Sequence, residues 1–407
     1  MMWLTFALRN IYKNRRRSLA TILAVAIGFC SISLFHGYTQ ETYNGVAQSI
    51  IHGQGLGHLT IFKRGFSQHG KLESEKYIFK QDEIEKILKL LTQIPGIVLA
   101  TPRLSVSGLI SNGKTSSIFL AKGVVPTDDV KLRDEFMSKG GGLDSNHPSA
   151  VQLASGLASI LDLKPGDNAV IMGNTVDGMV NALDVDILST YNTGVDATND
   201  KYIRMTLKHA RQFYDTKGAD KLVVLLNDIN QISSIKQKIE TLAEKDKLDI
   251  EIKTWDELSS FYDQLRSMFD MIFLFIFIIV IIVAVMSVIN TMSMTVIERV
   301  REIGTLRAIG VRRGGIKWMF SVEGGLLGTI GCGLGILLTI IIYFLMQYMQ
   351  IKFTPPSTTA EVALNIQLDT LFMLTLSILL VLLALLSAYF PAKRAAKLPI
   401  VDALGHV

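Results

Sequence analysis

The chain has 407 residues, 49% of them hydrophobic and only 19% charged, with a formal net charge of +5 at pH 7. A charged fraction well below the usual quarter, with leucine and isoleucine gathered in blocks, excludes an ordinary cytosolic enzyme and a disordered chain. The length would hold two or three domains, and the uneven spread of apolar residues says where to look for them.

In chain order, Trp3, Phe6, Ala7 and Ile11 share one face of an N-terminal helix suited to lie on a membrane surface. Arg15, Arg16 and Arg17 then precede a run without Asp, Glu, Lys or Arg, Ser18 to Gln40, of 23 residues. Roughly 20 apolar residues in a helix cross a bilayer core. A basic flank before an apolar run also fits a cleaved signal peptide. This run is long, however, no small-x-small site follows it, and bulky Phe29 before Cys30 excludes a lipoprotein signal. A retained anchor is expected.

The segment Glu41–Asp270 holds 26 basic and 30 acidic residues and reads as mixed α and β. Strands are expected at Leu59–Phe62, Ile97–Ala100, Leu104–Ile110, Ser117–Val125, Asn168–Met172, Leu183–Leu188, Lys221–Leu226 and Leu248–Lys253. Helices are expected at Asp82–Leu91, where Ile84, Ile87, Leu88 and Leu91 share a face, and at Ala150–Leu161, Met205–Tyr214 and Ile229–Ala243. Two subdomains are expected, one of them built from both ends of the segment. It contains no cysteine, so it folds without a disulfide on a hydrophobic core that 230 residues can supply.

One motif here misleads. Gly108 to Thr115 matches the phosphate-loop pattern G-x-x-x-x-G-K-[ST], but that loop needs a helix after it to aim N–H groups at phosphates. Ser116–Val125 is β-like and Asn112-Gly113 is a hairpin signal, so a hairpin is expected instead of a nucleotide site. The seven histidines, His36, His52, His58, His69, His147, His209 and His406, form no metal-ligand pattern. Asp184 and Asp186 share a strand face and read as solvated carboxylates. No catalytic constellation is present, and the basic residues flank apolar runs instead of lining an aromatic-studded groove, which argues against nucleic acid.

Three further charge-free runs follow: Met271–Ile297, Gly324–Ile351 and Thr370–Ala392, of 27, 28 and 23 residues. Four such runs argue against buried helices of a large soluble protein. Just before the second, Trp255, Leu258, Phe261, Tyr262, Leu265 and Phe269 recur at helical steps. With a helical continuation of the first span through Gln40–Ile50 they would make an amphipathic pair of stalks; two core helices of the inserted domain are the competing reading. Gly324, Gly328, Gly331 and Gly335 have the spacing that lets helix backbones approach, within the chain or across a dimer. Cys30 and Cys332 both lie in spans. Fourteen basic residues flank one side: Arg9, Lys13, Arg15–Arg17; Arg299, Arg301, Arg307, Arg312, Arg313, Lys317; and Lys393, Arg394, Lys397. The connector between the last two spans has only Lys352. By the positive-inside rule both termini and the middle loop face the cytoplasm and Glu41–Asp270 lies outside. The charge divides into +10 on cytoplasmic pieces, −4 on the inserted domain and −1 on the short outer connector.

The sequence Glu298–Gly310 (ERVREIGTLRAIG) reads as a short helix across the end of a span. Val300, Ile303, Gly304 and Leu306 fall near one face, and Glu298 and Arg301 could pair. A plain amphipathic interfacial helix fits the same periodicity. This motif, with Glu323-Gly324 and the glycine-rich span, resembles the permease family of MacB, LolC/LolE and FtsX. So do the tail, Tyr389-Phe390-Pro391-Ala392 through Arg394-Ala395 and Leu398-Pro399 to Asp402-Ala403-Leu404, and the opening Ala7-Leu8-Arg9-Asn10. Asp402 stands where that family more usually has Glu. The resemblance spans the chain, strongly in the membrane part and vaguely in the insertion.

The resemblance implies an α-helical membrane protein with four transmembrane helices plus a large α+β extracytoplasmic domain inserted between helices 1 and 2. The segments are 1–17 interfacial helix, 18–40 first span, 41–270 extracytoplasmic domain with stalks, 271–297 second span, 298–317 coupling helix and loop, 318–351 third span, 352–369 outer loop, 370–392 fourth span and 393–407 tail. It implies a type VII ABC permease of the bacterial inner membrane, working by mechanotransmission. The partners are a second permease chain, the bilayer, a possible periplasmic carrier or adaptor, and a separate cytoplasmic ATPase that holds ATP and Mg; no cofactor is expected in this chain. The coupling role falls on Glu298, Arg299, Arg301, Glu302, Gly304, Leu306, Arg307 and Gly310. For function it implies LolC/LolE-like lipoprotein release, with MacB-like efflux of amphiphiles through an adaptor, or FtsX-like control of an outside hydrolase, as alternatives.

Overall fold

The computed structural model describes residues 2–66, 70, 74–133, 142–144, 146–193, 196–353, 362–397, 399–400 and 403. The readings placed on His69, His406, Leu398, Asp402 and Leu404, and on the side chains of Trp3, Phe6 and Leu8, lie outside the described residues. The chain opens with helices α1 (Met2–Lys13) and α2 (Arg15–Gln48). The insertion carries strands β1 (Leu59–Lys63), β2 (Ile97–Ser111), β3 (Ser116–Val124), β4 (Ala150–Ala154), β5 (Asn168–Asn174), β6 (Val180–Tyr191), β7 (Tyr202–Thr206), β8 (Lys221–Leu226) and β9 (Ile250–Thr254). Its helices are α3 (Ser74–Tyr77), α4 (Gln81–Leu91), α5 (Pro126–Arg133), α6 (Ser155–Ile160), α7 (Asp196–Asn199), α8 (Leu207–Tyr214) and α9 (Ile232–Lys245). Helices α10 (Ser260–Glu298), α11 (Val300–Ala308), α12 (Arg313–Met349) and α13 (Thr370–Ala395) follow. Two compact units result, one of residues 1–43, 265–351 and 363–407, the other of residues 44–264 and 352–362.

Among the described residues, four helices are long and apolar enough to cross a membrane: 15–53, 260–298, 313–349 and 370–395. Helices α2, α10 and α12 run past the charge-free stretches, because a helix continues through charged residues once its hydrogen-bond ladder is established. Val25, Phe29 and Ile32 of α2 share a core with Ala284, Cys332, Met373, Leu376 and Leu380. Gly324, Gly328, Gly331 and Gly335 of the third span make this packing possible. A Cβ on Gly328 would come 2.8 Å from that of Ala384, and one on Gly324 would meet Ala388 and lie 3.0 Å from the Ala384 carbonyl, both on α13. On Gly331 or Gly335 it would come 2.8 Å from the Cβ of Val25 or Phe29, on α2. All four therefore face helices of their own chain.

The second unit has two cores. Strands β3, β7, β4, β6, β5 and β2 pair in that order, and β2 pairs back to β3, so six strands close into a barrel. Its interior holds Val106, Phe119, Leu153, Ile171, Ile187, Ile203 and Met205, with Phe213 of α8 packed in. The N-terminal half of β2 instead pairs with β8, which continues to β1 and β9 in an antiparallel sheet. Leu59, Ile61, Leu222 and Val224 of that sheet meet Ile84 and Ile87 of α4 and Ile235 and Ile239 of α9. Val223 and Leu225, on the opposite face, pack with Ile50, Ile51, Leu132 and Trp255. The second core thus draws on both ends of the insertion.

Several local readings change. Ala150–Leu161 is not one helix: Ala150–Ala154 is a wholly buried strand between β6 and β7, and only Ser155–Ile160 is helical. An alanine-containing strand buried on both faces has no alternation to betray it. Met205 likewise ends β7, and Thr206 caps α8 by accepting from the His209 N–H. The two expected strands 97–100 and 104–110 are one strand through Pro102, with an irregularity between Ile97 and Leu99. Helix α5 had no sequence expectation. At the misleading motif, β2 and β3 form a hairpin closed by Ser111 opposite Ser116. Gly113 takes φ +87°, and Asn112 Oδ1 accepts from the Lys114 and Thr115 N–H groups at 2.8 and 2.7 Å. The turn is an Asx turn, and no helix follows the lysine.

Candidate coupling site

Helix α10 ends at Glu298, and Arg299 leaves helical geometry at φ −115°, ψ 15°. Helix α11 starts anew at Val300 and stops where Gly310 takes φ +101°, a conformation open to glycine. The break sets which residues point inward. Val300, Ile303 and Gly304 are buried, and Ile303, with Leu306 beside it, packs on Ile316, Met319 and Phe320 at the start of α12 and Ala392, Ala395 and Ala396 at the end of α13. Arg301, Glu302, Thr305, Ala308 and Ile309 are exposed, Ile309 by 74%. The helix is therefore anchored by one face to two spans and leaves the other exposed.

The break also re-pairs the charges. Glu298 does not pair with Arg301; it accepts from Arg17 Nη1 at 2.6 Å. Arg299 donates through Nε to Glu302 at 2.7 Å and through Nη1 to Glu323 of α12 at 3.4 Å, with its guanidinium 5.3 Å from the Phe320 ring centre. Asn10 of α1 donates to the same Glu323 oxygen at 3.4 Å. One buried guanidinium thus ties the coupling segment to the third span, and through the shared carboxylate to α1. Ala7 and Ile11 pack into the same membrane unit.

Of the eight residues expected to couple, Arg301 and Glu302 form the exposed face, Arg307 is half-buried, and Glu298 sits at the preceding helix end. Arg299 and Gly304 face inward, Leu306 is partly buried, and Gly310 ends the helix. Sequence reasoning missed Thr305, Ala308 and Ile309 on the outer face, and Arg17, Asn10 and Glu323 in the anchor. Glu323, an acid inside a long apolar helix, was the available signal. Of the stalk residues, Trp255 and Leu258 lie in the turn before α10, and Trp255 meets Tyr262 edge-on at 4.7 Å. Phe261 is exposed, whereas Phe269 meets Phe35, Tyr38 and Tyr43 of α2 at 6.0 to 6.4 Å. Tyr43 also donates to Asp270 at 3.1 Å. Among the described residues no three His, Cys, Asp or Glu side chains are grouped to hold a metal ion.

The family model of the MacB-like periplasmic core domain matches residues 18–242, and that of the FtsX-like permease C-terminal region matches residues 274–400. The chain belongs to this MacB- and FtsX-like family of ABC transporter permeases. An uncharacterised ABC transporter permease of Methanocaldococcus jannaschii is 23% identical over 98% of this chain and 97% of its own length. The lipoprotein-releasing system transmembrane protein LolE of Haemophilus influenzae is 22% identical over 92% of this chain and 90% of its own. The macrolide export ATP-binding/permease protein MacB of Mannheimia succiniciproducens is 24% identical over 97% of this chain, which spans 59% of that protein. As a permease of this family, the chain is a multi-pass membrane protein with a MacB-like core domain between its first and second spans. Residues 298–310, expected to couple, fall within the FtsX-like match.

Proposed function

We propose that this permease takes ATP-driven motion from a separate cytoplasmic ATPase at α11 and uses it to release a lipid-anchored protein from the outer leaflet, as the name of LolE describes for that relative. The carrying observation is the two-faced α11: one face packed on α12 and α13, the other presenting Arg301, Glu302, Thr305, Ala308 and Ile309. A partner that pushes on the exposed face moves two spans with it. The lipoprotein reading is supported by a match that runs through nine-tenths of LolE. ATP and Mg belong to the partner in this reading, and a second permease chain completes the assembly. The test is reconstitution of the permease with its ATPase in proteoliposomes carrying an acylated lipoprotein. ATP-dependent appearance of that lipoprotein on a soluble acceptor supports the reading, and its retention under active hydrolysis overturns it. A second reading, efflux of amphiphiles, is favoured by the core-domain match over residues 18–242. It would show as hydrolysis stimulated by a macrolide or peptide and indifferent to lipoprotein.

A further inference from the structure

In the inserted domain, the cationic side chains of Arg103, Lys122, Arg204 and Lys221 converge where the barrel meets the second sheet, with Arg133 of α5 nearby. The register brings them together: Arg103 of β2 lies opposite Lys221 of β8, Ser105 of β2 opposite Lys122 of β3, and Lys122 opposite Arg204 of β7. Two carboxylates serve the group. Asp129 of α5 accepts from both guanidiniums, from Arg103 at 2.8 Å and Arg204 at 3.3 Å, and Asp220 sits 3.4 Å from Lys221. Among the described residues, Lys122 is left without one. Its Nζ donates to the Gln54 carbonyl at 2.9 Å and lies 5.0 Å from the Tyr202 ring centre. Arg103 and Arg204 are 3% and 2% exposed, yet Nε of Arg103 and Nε and Nη2 of Arg204 are buried with no hydrogen-bond partner among the described residues. Buried donors of charged groups are costly when unpaired, and an excess of buried charge more so.

Beside these groups is a cavity of about 10 Å³ lined by Arg103, Lys122, Lys221, Ser105, Gln54 and Gly55. That holds one small sphere and no polyatomic oxyanion. Gly55 keeps it open, since a Cβ there would come 2.6 Å from Arg103 Nη1. We propose that this cavity binds a single chloride-sized anion between the Lys122 and Lys221 ammonium groups and the Arg103 guanidinium. Burial and the neighbouring cations hold the Lys122 amine well below the usual lysine range, and an anion there reverses that effect. The site asks nothing of the proposed transport function.

The test uses the full chain in detergent. Thermal unfolding of the inserted domain is compared in about 0.2 M sodium bromide and in sodium gluconate of equal ionic strength, and crystals grown in bromide are examined for anomalous scattering. The expected result is a bromide peak in the cavity and a Tm higher by about 5 °C in bromide, as for a ligand well above its Kd. Lys122→Met is expected to remove both the peak and the increment, while its Tm in gluconate equals or exceeds that of the unsubstituted chain. Equal Tm in the two salts with no peak at the site overturns the proposal.

Discussion

The molecule contains two arginine-centred clusters, one in each unit, and they are built on opposite plans. At the coupling site one guanidinium, Arg299, has two carboxylates, of which Glu302 is 54% exposed at the side chain and Glu323 4%. In the inserted domain two guanidiniums, Arg103 and Arg204, share the single carboxylate of Asp129, and all three side chains are 8% exposed or less. The first cluster has acid to spare and one partner at the water interface, so its pairing can be altered from outside. The second is buried and cation-rich, so a carboxylate removed from it leaves its guanidiniums without one. One arrangement suits a joint that must respond, the other a joint that must hold.

The sharpest way to break this comparison is Asp129→Asn. It leaves the buried guanidiniums of Arg103 and Arg204 without the carboxylate they share, and a loss of about 3–5 kcal/mol is expected, read as a lowered thermal transition of the inserted domain. Near-native stability would show that the cluster is not held by that carboxylate. Next in size is joint charge reversal of Glu298, Arg301 and Glu302, expected to abolish stimulation of the partner's ATP hydrolysis while the spans still insert. Normal stimulation would remove α11 as the dock. Arg299→Met is expected to lower coupled activity severalfold with the ATPase still bound, because α11 stays in place but its tie to Glu323 is gone. Arg299→Lys, which keeps the charge, should recover part of it, and equal loss in both variants would make the residue a packing element alone.

A pH experiment separates the units further. The Leu226 N–H donates to His58 Nδ1 at 3.1 Å, and burial, then the His52 charge, holds His58 at a pKa of about 4. The folded state therefore binds fewer protons than the unfolded one across the interval from about 6.5 down to that value. Stability from this group is complete above about pH 6.5 and is lost as pH falls through the window. His58→Gln should flatten the slope for the inserted domain; an unchanged slope would assign it elsewhere. The smallest effect is expected from Lys114→Ala, on an exposed hairpin turn, which should leave ATP hydrolysis unchanged. Lost hydrolysis in a folded variant would reopen the phosphate-loop reading.

How much of this was legible follows from the range of the determining contacts. The spans could be read because lack of charge over twenty residues is a local property, and so could the Asn112-Gly113 turn. The inward face of α11 was visible in Val300, Ile303 and Gly304. The inward turn of Arg299 was not, because periodicity assumes an unbroken helix and the chain breaks at that residue. The family was legible in the membrane motifs, and its models match both halves of the chain. The barrel was hidden because β4 is buried on both faces and β2 runs through a proline into two sheets. The cation cluster was hidden because Arg103 and Arg204 meet only when the barrel closes.

The pairing of β1 with β9 has a bearing on how the chain is made. These strands stand at the two ends of the insertion, while every strand of the barrel lies between them. A chain emerging from its first span can complete the barrel from contacts already translated, but β1 must wait for β8 and β9 before its sheet exists. Long-range pairing of this kind is slow and leaves an open strand edge in the interim. The last strand to arrive, β9, is followed almost at once by α10, the most apolar helix of the four. Biogenesis thus ends with a near-simultaneous demand: close the second sheet on one side of the membrane as the next span enters it.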